Sequence, residues 1–294
     1  MNTLPTPDPY SLYKNAVTFV LHRGSFLRTA IMALALWAAA PSQPAWSKPG
    51  GVFLENLTWT EVRNDLRAGK TTIIIPVGGT EQSGPHIALG KHNVRARVLA
   101  GKIATALGNA LVAPVIAYVP EGSITPPAAH MRFAGTISIS DDTFKSLLSS
   151  AARSFRQHGF TDIVLIGDHG GYQSQLKAVA TRLNREWAGT HTRAHYIAEY
   201  YKAADVDFPK ILRDKGFTDK QIGVHAGLAD TSLTMAVDAG LVEQENIARA
   251  AREGKAAGVD GDPGASSAAL GQLGVDLIVA KTVAAIRSAQ NEQR

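Results

Sequence analysis

The chain has 294 residues, 45% of them hydrophobic and 19% charged, which is enough apolar material for a sizeable core in one large α/β domain. Cys is absent, so disulfides, thiolate nucleophiles and Cys-ligated zinc are excluded, and any metal must be held by His, Asp, Glu, backbone or water. The net charge of +5 is scattered without a Lys/Arg cluster or basic stripe, which leaves nucleic-acid binding without support.

Residues 1–47 read as a targeting segment. Arg23 and Arg28 precede an apolar run from Thr29 to Ala40. A breaker stretch from Pro41 to Pro44 follows, and Ala45 and Ser47 supply the small residues of a cleavage site. The apolar run is shorter than the ~20 residues of a membrane-spanning helix. The expectation is an exported chain, periplasmic or secreted, processed near Lys48 and left without a stable membrane span. Residues 48–294 are then one catalytic domain.

Phe53 to Ala68 reads as a lead-in ending in a helix. Thr71 to Val77 is a β-branched run bounded by Gly78 and Gly79, the pattern of a buried strand. Asn93 to Leu107 is helical, and Asn109 to Val119 is a second strand. Ser140 or Asp141 caps a helix running to about His158. Thr161 to Gly167 is a third strand, Gln173 to Trp187 a helix, and Arg193 to Glu199 a fourth strand. Helices follow over about Asp230–Ala239, Gln244–Lys255 and Ala265–Ser288. Strands alternating with helices predict a single compact α/β domain with a central, largely parallel sheet flanked by helices. Such sheets carry ligands at the carboxyl ends of their strands.

Two unusual loops begin at such ends. Gly78 to Asn93 (GGTEQSGPHIALGKHN) packs Glu81, Gln82, Ser83, His86 and His92 between glycines. Asp168 to Tyr172 offers Asp168 and His169 beside two glycines. A carboxylate and imidazoles brought to one strand edge suit a divalent cation. Asp168 has two readings, a ligand or a group that orients one. A third segment, Gly223 to Ser232, holds His225 and Asp230, a candidate acid/base and its orienting carboxylate. Asp230 can equally serve the start of the following helix. His130 is a further candidate for lining the pocket, with Gln82, Ser83 and His86 as substrate contacts. His158, His191 and His195 read as surface or helix-end residues. Motifs for a P-loop, a dinucleotide fold, an HExxH zinc site or a serine-hydrolase elbow do not occur.

From about Leu54 to Ile286 the sequence resembles the creatininase family of metal-dependent amidohydrolases. Pro76–Asn93 is similar to the family's PxGSxEQHGPHLPLGTD, Ile166–Tyr172 to NGHGGN, and His225–Ser232 to HAGExETS. His130–Thr136 is similar to HxxFPGT. The resemblance implies a compact α/β fold, assembly as a homo-oligomer (a hexamer), and hydrolysis of cyclic amides, formamides or peptide-like C–N bonds with divalent metal. It places a metal-ligating Glu on Glu81, a ligating His on His169 and a catalytic candidate on His225. The chain also departs from the pattern. Ser83 stands in place of a metal-binding His, and His92 in place of the Asp that bridges two metals. Leu228 and Asp230 replace two Glu, and Gly170 and Gly171 follow His169.

One metal per chain is therefore expected, held by Glu81, His92 and His169. Zinc is the first expectation, with iron or manganese as alternatives. Such an ion activates water and polarises an amide carbonyl. His225 then protonates the leaving nitrogen of a small-molecule amide substrate, with Asp168 or Asp230 orienting. The alternatives are a ligand-binding envelope protein without turnover and a non-haem iron enzyme on the same triad.

Overall fold

The computed structural model describes residues 51–292, so the expected targeting segment lies outside the described residues. Four strands form one parallel sheet: β1 (Thr72–Val77), β2 (Ala110–Val112), β3 (Asp162–Gly167) and β4 (Arg193–Tyr196), in the order β2-β1-β3-β4. β1 and β3 run in register from Thr72↔Asp162 to Val77↔Gly167, which brings their carboxyl ends level. The helices are α1 (Trp59–Arg67), α2 (Lys91–Leu107), α3 (Asp141–Gln157), α4 (Gln173–Glu186), α5 (Ala198–Lys202), α6 (Phe208–Asp214), α7 (Asp219–Ile222), α8 (Leu228–Val237), α9 (Ile247–Glu253) and α10 (Ala268–Asn291).

Local signals account for the main boundaries. Thr58 and Glu61 form a capping box at the start of α1, Ser140 caps α3, and Gly108 ends α2 in the left-handed conformation. The strands alternate between two apolar layers, as period-2 side chains require. Ile74, Val112, Val164 and Ile166 meet residues of α2, α8 and α10 on one face. Ile73, Ile75, Leu111 and Leu165 meet residues of α3 and α4 on the other. Helix α10 is long and apolar enough by composition to cross a membrane, yet here Val275, Ile278, Val283 and Ile286 pack into the first layer.

Three expectations are corrected. The second strand covers only Ala110–Val112, because Pro114, two residues on, has no N–H to give the ladder. The fourth strand ends at Tyr196, and helix begins at Ala198. His195 is not at the surface: it is buried in β4, with Nε2 2.9 Å from Asp162 Oδ1.

Candidate functional site

The loops after β1, β2 and β3 meet at the carboxyl edge of the sheet. Tyr172 binds two of them together. Its hydroxyl accepts from the backbone N–H groups of Asp168 and His169, 3.1 Å each, and donates to the Gly78 carbonyl at 2.6 Å. Gly79, at φ +155°, is needed for a close approach, since a Cβ there would lie 2.5 Å from Glu121 Oε1. Ala129 and Ala226 both hold positive φ, 49° and 54°, immediately before His130 and after His225. Non-glycine residues pay for that conformation, and such strain collects at functional sites.

Glu81, Glu121, His130 and His169 offer ligand atoms that all lie within 4.8 Å of one another. His130 Nε2 is 3.1 Å and His169 Nε2 3.5 Å from Glu81 Oε2, while His169 Nδ1 is 3.4 Å from Glu121 Oε2. Glu81 Oε2 and both Glu121 oxygens are buried without a hydrogen-bond partner. A buried carboxylate without a partner costs several kcal/mol if it stays ionised. Burial, and then the charge of Glu81, pushes Glu121 up to about 9. Burial also works against the charge on Glu81. The hydrogen bond and charge of His92, with Lys91 and His169, outweigh it and hold Glu81 well below the usual carboxylate range. Burial takes His169 down to about 3 and lowers His130, so both rings carry lone pairs at neutral pH. Orphaned oxygens facing neutral imidazoles fit a divalent cation.

The expected ligand His92 sits elsewhere. Its Nε2 is 2.8 Å from Glu81 Oε1 and its Nδ1 2.6 Å from Asp168 Oδ2, so carboxylates occupy both ring nitrogens. Asp168 also accepts from Arg95 Nε at 2.7 Å and Tyr200 OH at 2.8 Å. Asp230 does not hydrogen-bond His225. It pairs with Lys91, accepts from Arg95 at 2.7 Å, and accepts the Ala226 N–H at 2.9 Å. Burial opposes the charge on Asp230, but Lys91 and Arg95 keep it well below its usual range.

His225 donates from Nε2 to the Gln82 carbonyl at 2.9 Å, since a carbonyl can only accept. That leaves Nδ1 with its lone pair, 3.7 Å from Glu81 Oε1. Burial, then Lys91, lowers His225 to about 4. A cavity of about 540 Å³ opens over these groups, lined by Lys91, His130, His169, Tyr201, Val224 and His225 among others. The expected substrate contacts divide. His130 lines the cavity, whereas Gln82, Ser83 and His86 are buried behind it. The Gln82 amide lies 3.2 Å from His130 Nδ1, and His86 Nε2 pairs with Thr231 Oγ1 at 3.0 Å. Sequence reasoning missed Glu121, Lys91 and Arg95. Glu121 had a usable signal, because Val119-Pro120-Glu121-Gly122 closes an expected strand just as the other two loops do.

A parallel α/β domain thus carries a buried carboxylate–imidazole cluster at its strand ends, a candidate metal site. The family model described as creatinine amidohydrolase matches residues 55–286, and the chain belongs to the creatininase family. It is similar to the creatinine amidohydrolase of Pseudomonas putida, 27% identical over 202 residues, which covers 67% of this chain and 75% of that one. It is also similar to the mycofactocin precursor peptide peptidase of Mycolicibacterium smegmatis, 32% identical over 132 residues, 43% of this chain and 51% of the peptidase. A solved creatinine amidohydrolase superposes with a TM-score of 0.68 at 24% identity, covering 82% of this chain and 98% of that one. A variant creatininase described as of the Zn-Zn type gives 0.65 at 23%, covering 83% and 99%. At those identities the superpositions establish the fold.

Proposed function

We propose that the protein is a metal-dependent amidohydrolase that cleaves a C–N bond of a small cyclic amide, formamide or peptide-like substrate. The observation that carries this reading is the convergence of Glu81, Glu121, His130 and His169 with three buried carboxylate oxygens unpartnered. Those four residues would hold one divalent ion. When bound, such an ion acidifies water and polarises a carbonyl. Zinc is favoured, since two imidazoles and two carboxylates suit it, with manganese or iron as alternatives.

The chain's own residues supply the proton handling. His225 is neutral at pH 7 and turns its Nδ1 lone pair towards Glu81, where it can take a proton from the attacking water. Water's oxygen then bonds the carbonyl carbon, the C–N bond breaks, and His225 returns the proton to the leaving nitrogen. Gln82 holds His225 and His130 in place behind the wall. The cavity volume lies within the range of small-molecule sites.

A screen of cyclic amides, formamides and short peptides against metal-loaded and chelator-treated protein tests the reading. Turnover should require metal, and full activity after complete metal removal would overturn it. We further propose that the chain is exported, for which the signal-like segment before Lys48 is the support, and that it assembles as a homo-oligomer, which family resemblance supports. N-terminal sequencing of envelope protein should begin near Lys48, and an intact Met1 on cytoplasmic protein would refute export.

A further inference from the structure

Glu81 faces two sets of groups, and its two oxygens keep different company. Oε2 looks towards His130 and His169, the set assigned above to the ion. Oε1 lies 2.8 Å from His92 Nε2, 3.7 Å from His225 Nδ1 and 3.7 Å from Lys91 Nζ. Lys91 also pairs with Asp230. Glu81 Oε1 thus has two imidazole nitrogens and an ammonium around it, and that ammonium, at 1% exposure, also meets Asp230. His and carboxylate sets of this kind hold divalent ions.

We propose that Lys91 is a built-in second cation: its ammonium takes the place beside Glu81 Oε1 that a second divalent ion would occupy, and so limits the site to one ion. The inference rests on the metal reading above. Charge supports it. Lys91 and Arg95 already place two fixed cations among Glu81, Asp168 and Asp230. A second divalent ion beside Glu81 Oε1 would add to those fixed cations in a poorly solvated place, where unbalanced charge is costly. A lysine suits the task because it is a compact point charge with three donors on one atom. Glu81 would then bridge an ion and an ammonium as a carboxylate elsewhere bridges two ions.

The test counts bound Mn²⁺ on the full chain by equilibrium dialysis and reads its electron paramagnetic resonance spectrum. Wild type should bind one Mn²⁺ with the spectrum of an isolated ion. Lys91→Gln should take up a second equivalent, spin-coupled to the first through Glu81, while Lys91→Arg should stay at one. A lysine that merely stabilised the fold would leave both count and coupling unchanged. Lys91→Gln holding at one ion overturns the proposal, as does a coupled pair in wild type. Those wild-type and Lys91→Arg counts remain decisive if Lys91→Gln does not fold, because a second ion in either refutes it. Failure of the underlying reading looks different: wild type and variants alike bind no Mn²⁺, and the inference falls with it.

Discussion

The two halves of the site around Glu81 are built on opposite principles. On one side Lys91, His92, Arg95, Asp168 and Asp230 form a closed network in which every charge has a partner. On the other, Glu121 and Glu81 Oε2 are buried with no hydrogen bond at all. Both halves are equally deep, so burial alone does not separate them. Completeness does. A saturated network has no valence left for a ligand and serves to hold its members still, whereas an unsatisfied one keeps a cost that only a missing partner can remove.

The largest expected effect tests which half binds the ion. Glu121→Ala or His169→Ala should empty the site and end turnover. The affinity loss should exceed the ~10–100-fold typical of partners that only orient ligands. Asp168→Asn marks the contrast. It should leave metal bound but lower stability by ~3–5 kcal/mol, because Arg95 is left facing a neutral partner in a buried place. Elemental analysis and thermal melts of the variants check both. Full metal occupancy in Glu121→Ala would return the ligand role to His92.

His225 lies on the boundary, close to Glu81 but held by a backbone carbonyl, so it should separate catalysis from binding. His225→Ala should reduce turnover by ~10²–10⁴-fold while metal content stays at the wild-type level. Loss of the ion from that variant would make His225 a ligand instead.

A smaller effect follows from pH. In the metal-free protein Glu121 titrates at about 9, raised first by burial and then by Glu81. Below that pH it holds a proton that an incoming ion must displace. Affinity should therefore rise from pH 7 towards 9 by ~tenfold per pH unit for one released proton, and level off above. His169, lowered to about 3, has already lost its proton and adds nothing in this window. Calorimetry in buffers of different ionisation enthalpy reads the proton count. An affinity flat between pH 7 and 9 would remove Glu121 from the ligand set.

How much of this was legible in sequence depends on range. β1 and β3 announced themselves because a continuous β-branched run between glycines has few alternatives to a buried strand. The loops after them stood out because polar residues were crowded among glycines. Those signals pointed to Glu81 and His169, and a third segment, Gly223 to Ser232, pointed to His225. They did not tell His92 from His130, since which imidazole reaches Glu81 Oε2 depends on a loop 48 residues distant from Gln82 and on Gln82's own bond to His130. Lys91 and Arg95 looked like ordinary helix cations. Only the partners Asp168 and Asp230, brought in from two other elements, make them buried ones. The helices between Ala198 and Ile222 were not anticipated either.

The smallest predicted effect asks whether every orphaned group in this region is functional. Ser83 Oγ is fully buried and unpartnered, as Glu121 is, and it stands where the resemblance expects a metal ligand. Yet it lies behind the cavity wall, and a neutral hydroxyl without a partner costs far less than a carboxylate in the same state. Replacing it by Ala removes an unmet polar group without opening much space. Ser83→Ala should leave metal content and turnover at wild-type levels and leave stability unchanged or raised by up to ~1 kcal/mol. A clear fall in metal content would mean that Ser83 does reach the ion. A fall in turnover with metal retained would instead restore its expected role as a substrate contact. Either result would show that an unsatisfied atom here signals function whatever its charge, and no change would confine that signal to the carboxylates.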